Sequence, residues 1–298
     1  MLTNPVFLSI QVLNALALSM NLFIIASGLT LIFGVLRIIN FAHGAFFMLG
    51  AYALLTVLQW FGETEAAFWS GVLFAGVVLA ALAFVTERFL LRHLYDREHL
   101  LQLVFTFALI LIIEDGAKLF WGTSQHSVSY PPSLAGAVDL GIIQYPAYLL
   151  FLSAVGPVVA IVLWLVFSRS RWGRVVRAAR LDREMLGALG TNVRSVYALV
   201  FVVGAMLAGM GGALAAPRVA VGPGMDATVI INSFIIVIIG GLGSLWGSFV
   251  GSLTLGFVIV FGTVFLSEWE IVLVYVMMAA VLMVRPWGLF GRPMQGRD

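Results

Sequence analysis

Long, continuously apolar segments separated by short polar connections dominate this chain. Nine of them can be drawn, at about 8–35, 42–60, 66–86, 101–121, 147–168, 196–216, 228–247, 249–266 and 271–285. Continuous apolar runs of about 20 residues are typical of helices that cross a lipid bilayer, whereas the strands of a membrane β-barrel alternate over about ten residues. The pattern therefore predicts an all-α, polytopic transmembrane bundle with about eight or nine spans.

A first anomaly in this pattern lies between Gly34 and Gly44, where Arg37, Asn40 and His43 interrupt two apolar runs. An unsatisfied polar group in hydrocarbon costs several kcal/mol, so these side chains need partners. One interpretation is a turn followed by the second helix, with Asn40 as its N-cap. The other is a discontinuous helix whose polar end faces a translocation path. The residues alone leave both interpretations open.

A second anomaly is the glycine-rich segment Gly240 to Gly251. Within it Gly243, Gly247 and Gly251 recur at a four-residue spacing. On a helix this spacing forms a smooth stripe that lets another helix approach closely. A phosphate-binding loop is disfavoured because the chain lacks the Gly-x-x-x-x-Gly-Lys-Ser/Thr pattern. We expect helix packing here, with a re-entrant or broken helix within residues 228–266 as the alternative.

The composition excludes several classes of protein. Hydrophobic residues make up 62% and charged residues 10% of the chain. A soluble domain usually carries about 25% charged residues. The sequence contains no cysteine, which excludes disulfides and thiol catalysis, and it shows no protease or nucleotide-binding motif. The isoelectric point near 9.1 reflects loop arginines, so we expect no nucleic-acid partner and no catalytic activity.

Arginines predict the orientation of the bundle. Seven of them lie between Arg169 and Arg194, and seven more fall in connections on the same predicted side: Arg37, Arg88, Arg92, Arg97, Arg285, Arg292 and Arg297. Basic residues are enriched on the cytoplasmic side of membrane proteins. We therefore expect residues 169–195 to form a cytoplasmic loop, with the N-terminus outside and the C-terminus in the cytoplasm.

Two further features each leave two interpretations open. Glu114 and Asp115 lie within helical reach of Lys118, and form either a structural ion pair or a proton relay of an ion-coupled carrier. The outer connection from Gly122 to Pro146 is either an ordered surface loop or a docking surface for an extracytoplasmic partner.

Six segments, in chain order, carry a resemblance to a known family: Gly28 to Gly44, Met48 to Tyr52, Glu87 to Arg92, Leu103 to Asp115, Gly240 to Ser244 and Val284 to Gly291. In combination they resemble the LivH-type permeases of branched-chain amino acid ABC transporters. It implies a single permease domain over residues 1–298, in a bacterial cytoplasmic (inner) membrane. It also implies a LivM-like second permease, two cytoplasmic ATPases that bind ATP and Mg, and an extracytoplasmic substrate-binding protein. No cofactor is expected in this chain.

The resemblance also assigns candidate site residues. The segment Glu184 to Gly190 is similar to the coupling segment of importer permeases, although Met185 and Leu186 stand where two alanines are usual. The expected coupling residues are Arg177, Arg180, Arg183, Glu184, Gly187 and Gly190. Candidates for the translocation path or its gate are Asn40, His43, Gly44, Gly240, Gly241, Gly243 and Ser244.

Alternatives to this interpretation concern the cargo and the mechanism. A related permease would carry urea or short amides, and a stand-alone carrier would use Glu114 or Asp115 for ion coupling. A separate alternative for the arginine loop is a solvated segment that only sets the topology.

Overall fold

The fold is a bundle of apolar helices with two short helices in a polar loop. A computed structural model describes residues 5–95, 97–141 and 143–291. Its α-helices are α1 (Pro5–Leu36), α2 (His43–Phe61), α3 (Glu65–Phe89), α4 (His99–Trp121), α5 (Ala147–Arg169), α6 (Arg171–Leu181), α7 (Arg183–Ala188), α8 (Val193–Ala215), α9 (Met225–Gly240), α10 (Leu245–Phe265) and α11 (Glu270–Val284). Three 3-10 turns (Leu91–Leu94, Pro132–Leu134, Ser267–Trp269) and an antiparallel hairpin of β1 (Ala137–Asp139) and β2 (Gln144–Pro146) complete the described part.

Eight helical segments of the described chain are long and apolar enough to cross a membrane, which confirms the predicted polytopic helical bundle. The span predicted at 228–247 is wrong at its C-terminal end, because α9 stops at Gly240 and has only 16 residues. Gly241 and Gly243 have φ angles of 99° and 77°. Positive φ angles are not helical, so the helix ends here. Glycine adopts them readily, whereas residues with a side chain rarely do. The next helix, α10, starts with Ser244 as its N-cap.

Contacts between connections define two ends of the bundle. At one end, which we call the arginine end because it carries residues 169–195, Gly34 packs against Gly243. The C-terminal segment joins the same end, since the N–H of Leu289 donates to the carbonyl of Ile239 (2.8 Å). Thus α9, which is about 24 Å long, ends at the arginine end. Arg292 and Arg297, used in the orientation argument, lie outside the described residues.

At the opposite end, the connection from Gly122 to Pro146 is ordered by contacts with the bundle. His126 and Val221 exchange backbone hydrogen bonds of 2.8 Å. The hydroxyl of Tyr145 donates to Oδ1 of Asn14 (2.8 Å). Burial raises the pKa of Tyr145 to about 12, so this hydroxyl keeps its proton at neutral pH. These contacts favour the ordered-loop interpretation of the connection.

The second helix starts deep inside the bundle. After α1 ends, Arg37 has a φ of 56°, and residues 37–42 are not helical. Nε2–H of His43, the first residue of α2, donates to the carbonyl of Ile25 (2.9 Å). At the helical rise per residue, Ile25 lies ~16 Å before the end of α1. The chain therefore turns back into the bundle before α2 begins, which favours the discontinuous-helix interpretation.

The N-cap proposed for α2 was wrong. Ala42 holds that position, and the Asn40 side chain forms no hydrogen bond among the described residues. The start of α2 is therefore fixed by the His43 contact with α1 rather than by a capping side chain.

Glycines let the buried helices cross at close range. Gly50 of α2 lies directly on the backbone of Gly209 of α8, so a Cβ added to Gly50 would overlap the Gly209 carbonyl oxygen. Gly212 makes an equally close approach to the carbonyl of Phe47. Small residues at such crossings allow van der Waals contact between backbones, which drives helix association in lipid. The α2–α8 crossing thus fixes the centre of the bundle.

We predict that Gly50→Ala lowers the melting temperature of the purified protein in detergent, because the methyl group forces α2 and α8 apart at a cost of about 1–3 kcal/mol. Gly116→Ala is the matched control, since a Cβ there meets no atom within 4 Å. Equal melting temperatures of the two variants, measured by differential scanning fluorimetry, would contradict the close crossing.

Candidate coupling loop and translocation groove

The arginine loop, residues 169–195, is folded rather than extended. It contains α6 and α7, and side-chain oxygens cap the helices that start within it: Ser170 caps α6, Asp182 caps α7 and Asn192 caps α8. Each cap satisfies a backbone N–H group that the first helical turn leaves without a partner. The loop therefore holds a defined shape between α5 and α8.

The two faces of α6 differ in character. Val176 and Ala179 are buried against the bundle, whereas the arginines of the other face are exposed. Arg177, one of the predicted coupling residues, donates from Nη1 to the carbonyl of Phe167 at the end of α5. This contact fastens α6 to the helix that precedes it.

Arg180 joins the arginine loop to the turn between α9 and α10. Its Nη1 donates to the carbonyl of Gly243 (2.9 Å), and its Nη2 donates to the carbonyl of Leu242 (3.3 Å). The guanidinium of Arg37 donates in turn to the backbone carbonyl of Arg180 (3.5 Å). A predicted coupling residue and a predicted path residue are therefore in direct contact, although 63 positions separate them in the sequence.

Exposed apolar side chains mark the outer surface of α7 and its flanks. Leu181, Met185 and Leu189 are 84%, 59% and 75% exposed, whereas Leu186 is buried. Apolar side chains clustered on a polar loop are typical of a surface that another protein covers. The sequence analysis did not assign these three side chains a role, although Met185 and Leu189 lie in the predicted coupling segment and the four-residue spacing within a polar loop was a visible signal.

The remaining predicted coupling residues surround this surface. Glu184 is exposed in the first turn of α7, and Arg183 is the first residue of that helix. Gly187 lies within α7, and Gly190, with a φ of 83°, lies in the turn that follows it. The structure thus brings all of the predicted coupling residues to the arginine end.

A groove runs along one face of α9, and we call it the α9 groove. Its upper part, about 650 Å³ in volume, lies between α4 and α9 and includes Glu114 and Asp226 in its lining. Its lower part, about 460 Å³, reaches Leu242 at the arginine end. Phe41 and Ile231 line both parts, and the Phe41 and Phe234 rings lie 4.9 Å apart between centroids. The walls are otherwise almost entirely apolar, so the groove suits aliphatic groups.

Acidic groups lie at the upper part of the α9 groove. Asp226 is only 4% exposed, and its Oδ1 forms no hydrogen bond within the described chain. Glu114 and Asp115 lie 3.0 and 3.2 Å from Nζ of Lys118, which gives the ion pair expected from their spacing. Among the residues that the structure describes, no cluster of His, Asp or Glu side chains is placed to hold a metal ion. Asp226 was not singled out by the sequence analysis, because the span predicted to start at residue 228 left it in an outer connection.

The predicted path residues fall into two separate groups. Asn40 and His43 are buried where the chain enters α2, and the Asn40 amide and the His43 Nδ1 find no hydrogen-bond partner in the described part of the chain. The next residue, Gly44, packs closely on the first turns of α9, where an added Cβ would lie 2.7 Å from the carbonyl oxygen of Asp226. The second group, Gly240, Gly241, Gly243 and Ser244, lies at the arginine end. The first group therefore meets the start of α9 through Gly44, and the second group lies at the end of that helix.

Comparisons with known proteins agree on one family. Residues 11–282 match the family described as the branched-chain amino acid transport system permease component. The chain is 31% identical, over 95% of each sequence, to the high-affinity branched-chain amino acid transport system permease protein BraD of Pseudomonas aeruginosa. It is 29% identical, again over 95% of each, to the LivH permease of Escherichia coli K12. It is 24% identical to the LivM permease of that strain, over 80% of this chain and 61% of LivM. No solved structure matches the chain.

We predict that Asp182→Ala speeds hydrogen exchange of the Glu184 and Met185 amides, which donate to Asp182 Oδ1 at 3.0 Å each. Loss of an N-cap costs about 1 kcal/mol, so exchange should be about fivefold faster. Asp182→Asn keeps an acceptor and is the control. If the exchange rates in α7 do not differ between the two variants, the assigned cap is wrong.

Proposed function

This chain belongs to the family of permease components of branched-chain amino acid transport systems, and we propose that it is one permease of an ABC importer for branched-chain or related amino acids. In this proposal residues 1–298 form a single permease domain of a bacterial cytoplasmic membrane. A LivM-like second permease completes the path, and an extracytoplasmic binding protein delivers the substrate. Two cytoplasmic ATPases bind ATP and Mg, and this chain supplies no cofactor of its own.

The observation that carries this proposal is the Arg180 contact. An ATPase that docks on the arginine loop displaces α6 and α7 when its nucleotide sites close. Because Arg180 is bonded to the carbonyls of Leu242 and Gly243, displacement of α6 pulls on the turn between α9 and α10. Both helices that meet at this turn are apolar and packed against α1, so the movement reaches the centre of the bundle.

The docking surface in this proposal is the apolar cluster of Leu181, Met185 and Leu189. Desolvation of exposed apolar side chains at the centre of an interface provides binding energy, whereas peripheral charges mainly set orientation and association rate. The arginines of α6 and Glu184 surround the cluster and are placed for that second role.

The translocation path in this proposal follows the α9 groove. The groove lies open along the side of the bundle, and the second permease closes it. Its apolar walls fit branched aliphatic side chains, and Phe41 and Phe234 approach each other where the upper and lower parts meet. Movement of α9 by the Arg180 linkage changes the separation of these two rings, which makes them the gate.

We predict that the double variant Met185→Glu, Leu189→Glu loses co-purification of the ATPases when the whole transporter is expressed together. Two buried carboxylates without partners disfavour the docked state by several kcal/mol. Leu140→Glu is the control, because Leu140 is also exposed (45%) but lies at the opposite end. Retention of the ATPases by the double variant, or their loss from the control, would contradict the docking surface.

We predict that Ile231→Trp lowers ATP-driven amino acid uptake in proteoliposomes more than tenfold. Ile231 lines both parts of the α9 groove, so the larger side chain should block the groove where the two parts meet. ATPase co-purification should not change, since the side chain is remote from the arginine loop. The matched control is Ile161→Trp, whose side chain is exposed on α5 (52%). Equal loss of uptake in the two variants would show that the groove is not the path. Amino acid uptake by the permease in the absence of the ATPases would contradict the proposal that the protein is part of an ABC importer.

A further inference from the structure

A separate cavity of about 460 Å³ lies at the arginine end, between the last turn of α3 and the first turns of α8. It does not share a residue with the α9 groove. Three arginines line it: Arg88 of α3, Arg92 of the 3-10 turn that follows, and Arg194 of α8. The fold thus brings together basic residues from two regions that lie about 100 positions apart in the sequence.

The charge of this cavity is not neutralised by the described part of the protein. None of its three arginines forms a salt bridge with a described residue. Glu87 is the one acidic residue among the described residues of the lining. It is only 2% exposed and accepts a hydrogen bond from the Tyr95 hydroxyl (2.6 Å). Burial raises the pKa of Tyr95, so this hydroxyl stays protonated and keeps its hydrogen bond to Glu87. The cavity therefore carries an excess of positive charge.

The walls of the cavity change from polar to apolar along its length. Asn192, Arg194 and Ser195 lie at the loop, whereas Leu199 and Val202 follow one and two turns deeper in the membrane-spanning part of α8. On the α3 side, Phe84 lies one turn deeper than Arg88. Phe84 and Leu199 are 51% and 44% exposed, so the apolar part opens sideways to the lipid.

We propose that this cavity binds the headgroup of an anionic phospholipid from the leaflet at the arginine end. Arginines form charge-assisted hydrogen bonds to phosphate oxygens, and basic pockets between membrane helices on the cytoplasmic side bind anionic headgroups. The apolar walls beside Phe84 and Leu199 accommodate the start of an acyl chain. An acidic segment of an ATPase would satisfy the arginines but not the apolar walls, which face the bilayer rather than the cytoplasm.

The bound lipid would stabilise the region that leads into the arginine loop. Asn192, which lines the cavity, caps α8 and follows Gly190 of the predicted coupling segment by two residues. A headgroup that bridges Arg88 and Arg194 links the end of α3 to this start of α8. The inference does not depend on the proposed transport function, because it concerns lipid binding by the permease itself.

The test is a titration of the purified full chain in detergent with phosphatidylglycerol, phosphatidylcholine or inorganic phosphate, read as melting temperature and as bound lipid in native mass spectrometry. Of the three additives, we expect only phosphatidylglycerol to raise the melting temperature. The double variant Arg88→Gln, Arg194→Gln should bind it about 25-fold more weakly, at about fivefold for each arginine. The control is Arg171→Gln, Arg174→Gln, which removes the same charge from exposed positions of α6 outside the cavity.

Several outcomes would overturn the proposal. If the control variant binds phosphatidylglycerol as weakly as the double variant, general surface electrostatics explain the binding. If inorganic phosphate raises the melting temperature as much as phosphatidylglycerol does, the cavity is a site for free anions. Unchanged lipid binding together with loss of ATPase co-purification would indicate a protein-docking site. If the double variant does not fold, Arg92→Gln alone carries the same test, with an expected weakening of about fivefold.

Discussion

Inside a bilayer every backbone N–H and C=O group must find a partner within the protein, and this constraint explains where the chain departs from regular helix. The two non-helical connections that matter most are residues 37–42 and 241–244. In the first, the carbonyl of Ile39 accepts a hydrogen bond from the Thr106 hydroxyl of α4 (3.5 Å). In the second, Arg180 donates to the carbonyls of Leu242 and Gly243, and the C-terminal segment packs on Gly241. Irregular backbone is tolerated at such places because other parts of the protein supply partners for its polar groups.

The same requirement connects the loop to the membrane-spanning helices. Carbonyls of the turn between α9 and α10 have no helical partners, and Arg180 supplies hydrogen bonds to two of them. A lysine could not serve both carbonyls in the same geometry, because its ammonium is a single point of charge on a flexible stem. The loop is therefore attached to the bundle through a rigid, two-pronged contact as well as through the peptide chain.

Much of the fold follows from the sequence, because apolar periodicity and length determine where a chain can cross lipid. The α9–α10 break was assigned wrongly, since an apolar pattern does not show that Gly241 and Gly243 adopt positive φ angles. The Asn40 cap was wrong for a related reason: the depth of α2 depends on the His43 contact with α1, which is tertiary. For the site, composition located the arginine loop, but only the fold shows that Arg180 meets Gly243. Pairings of residues far apart in sequence leave no local signal.

The shortness of α9 has a consequence for the chain on either side of it. This helix has 16 residues. Its length of about 24 Å falls short of the ~30 Å hydrocarbon core of a typical bilayer. A helix of this length cannot cross that core by itself, so some of the non-helical chain beside it must lie at the depth of the hydrocarbon. Water cannot hydrate the peptide groups there, so they can be hydrogen-bonded only by neighbouring parts of the protein.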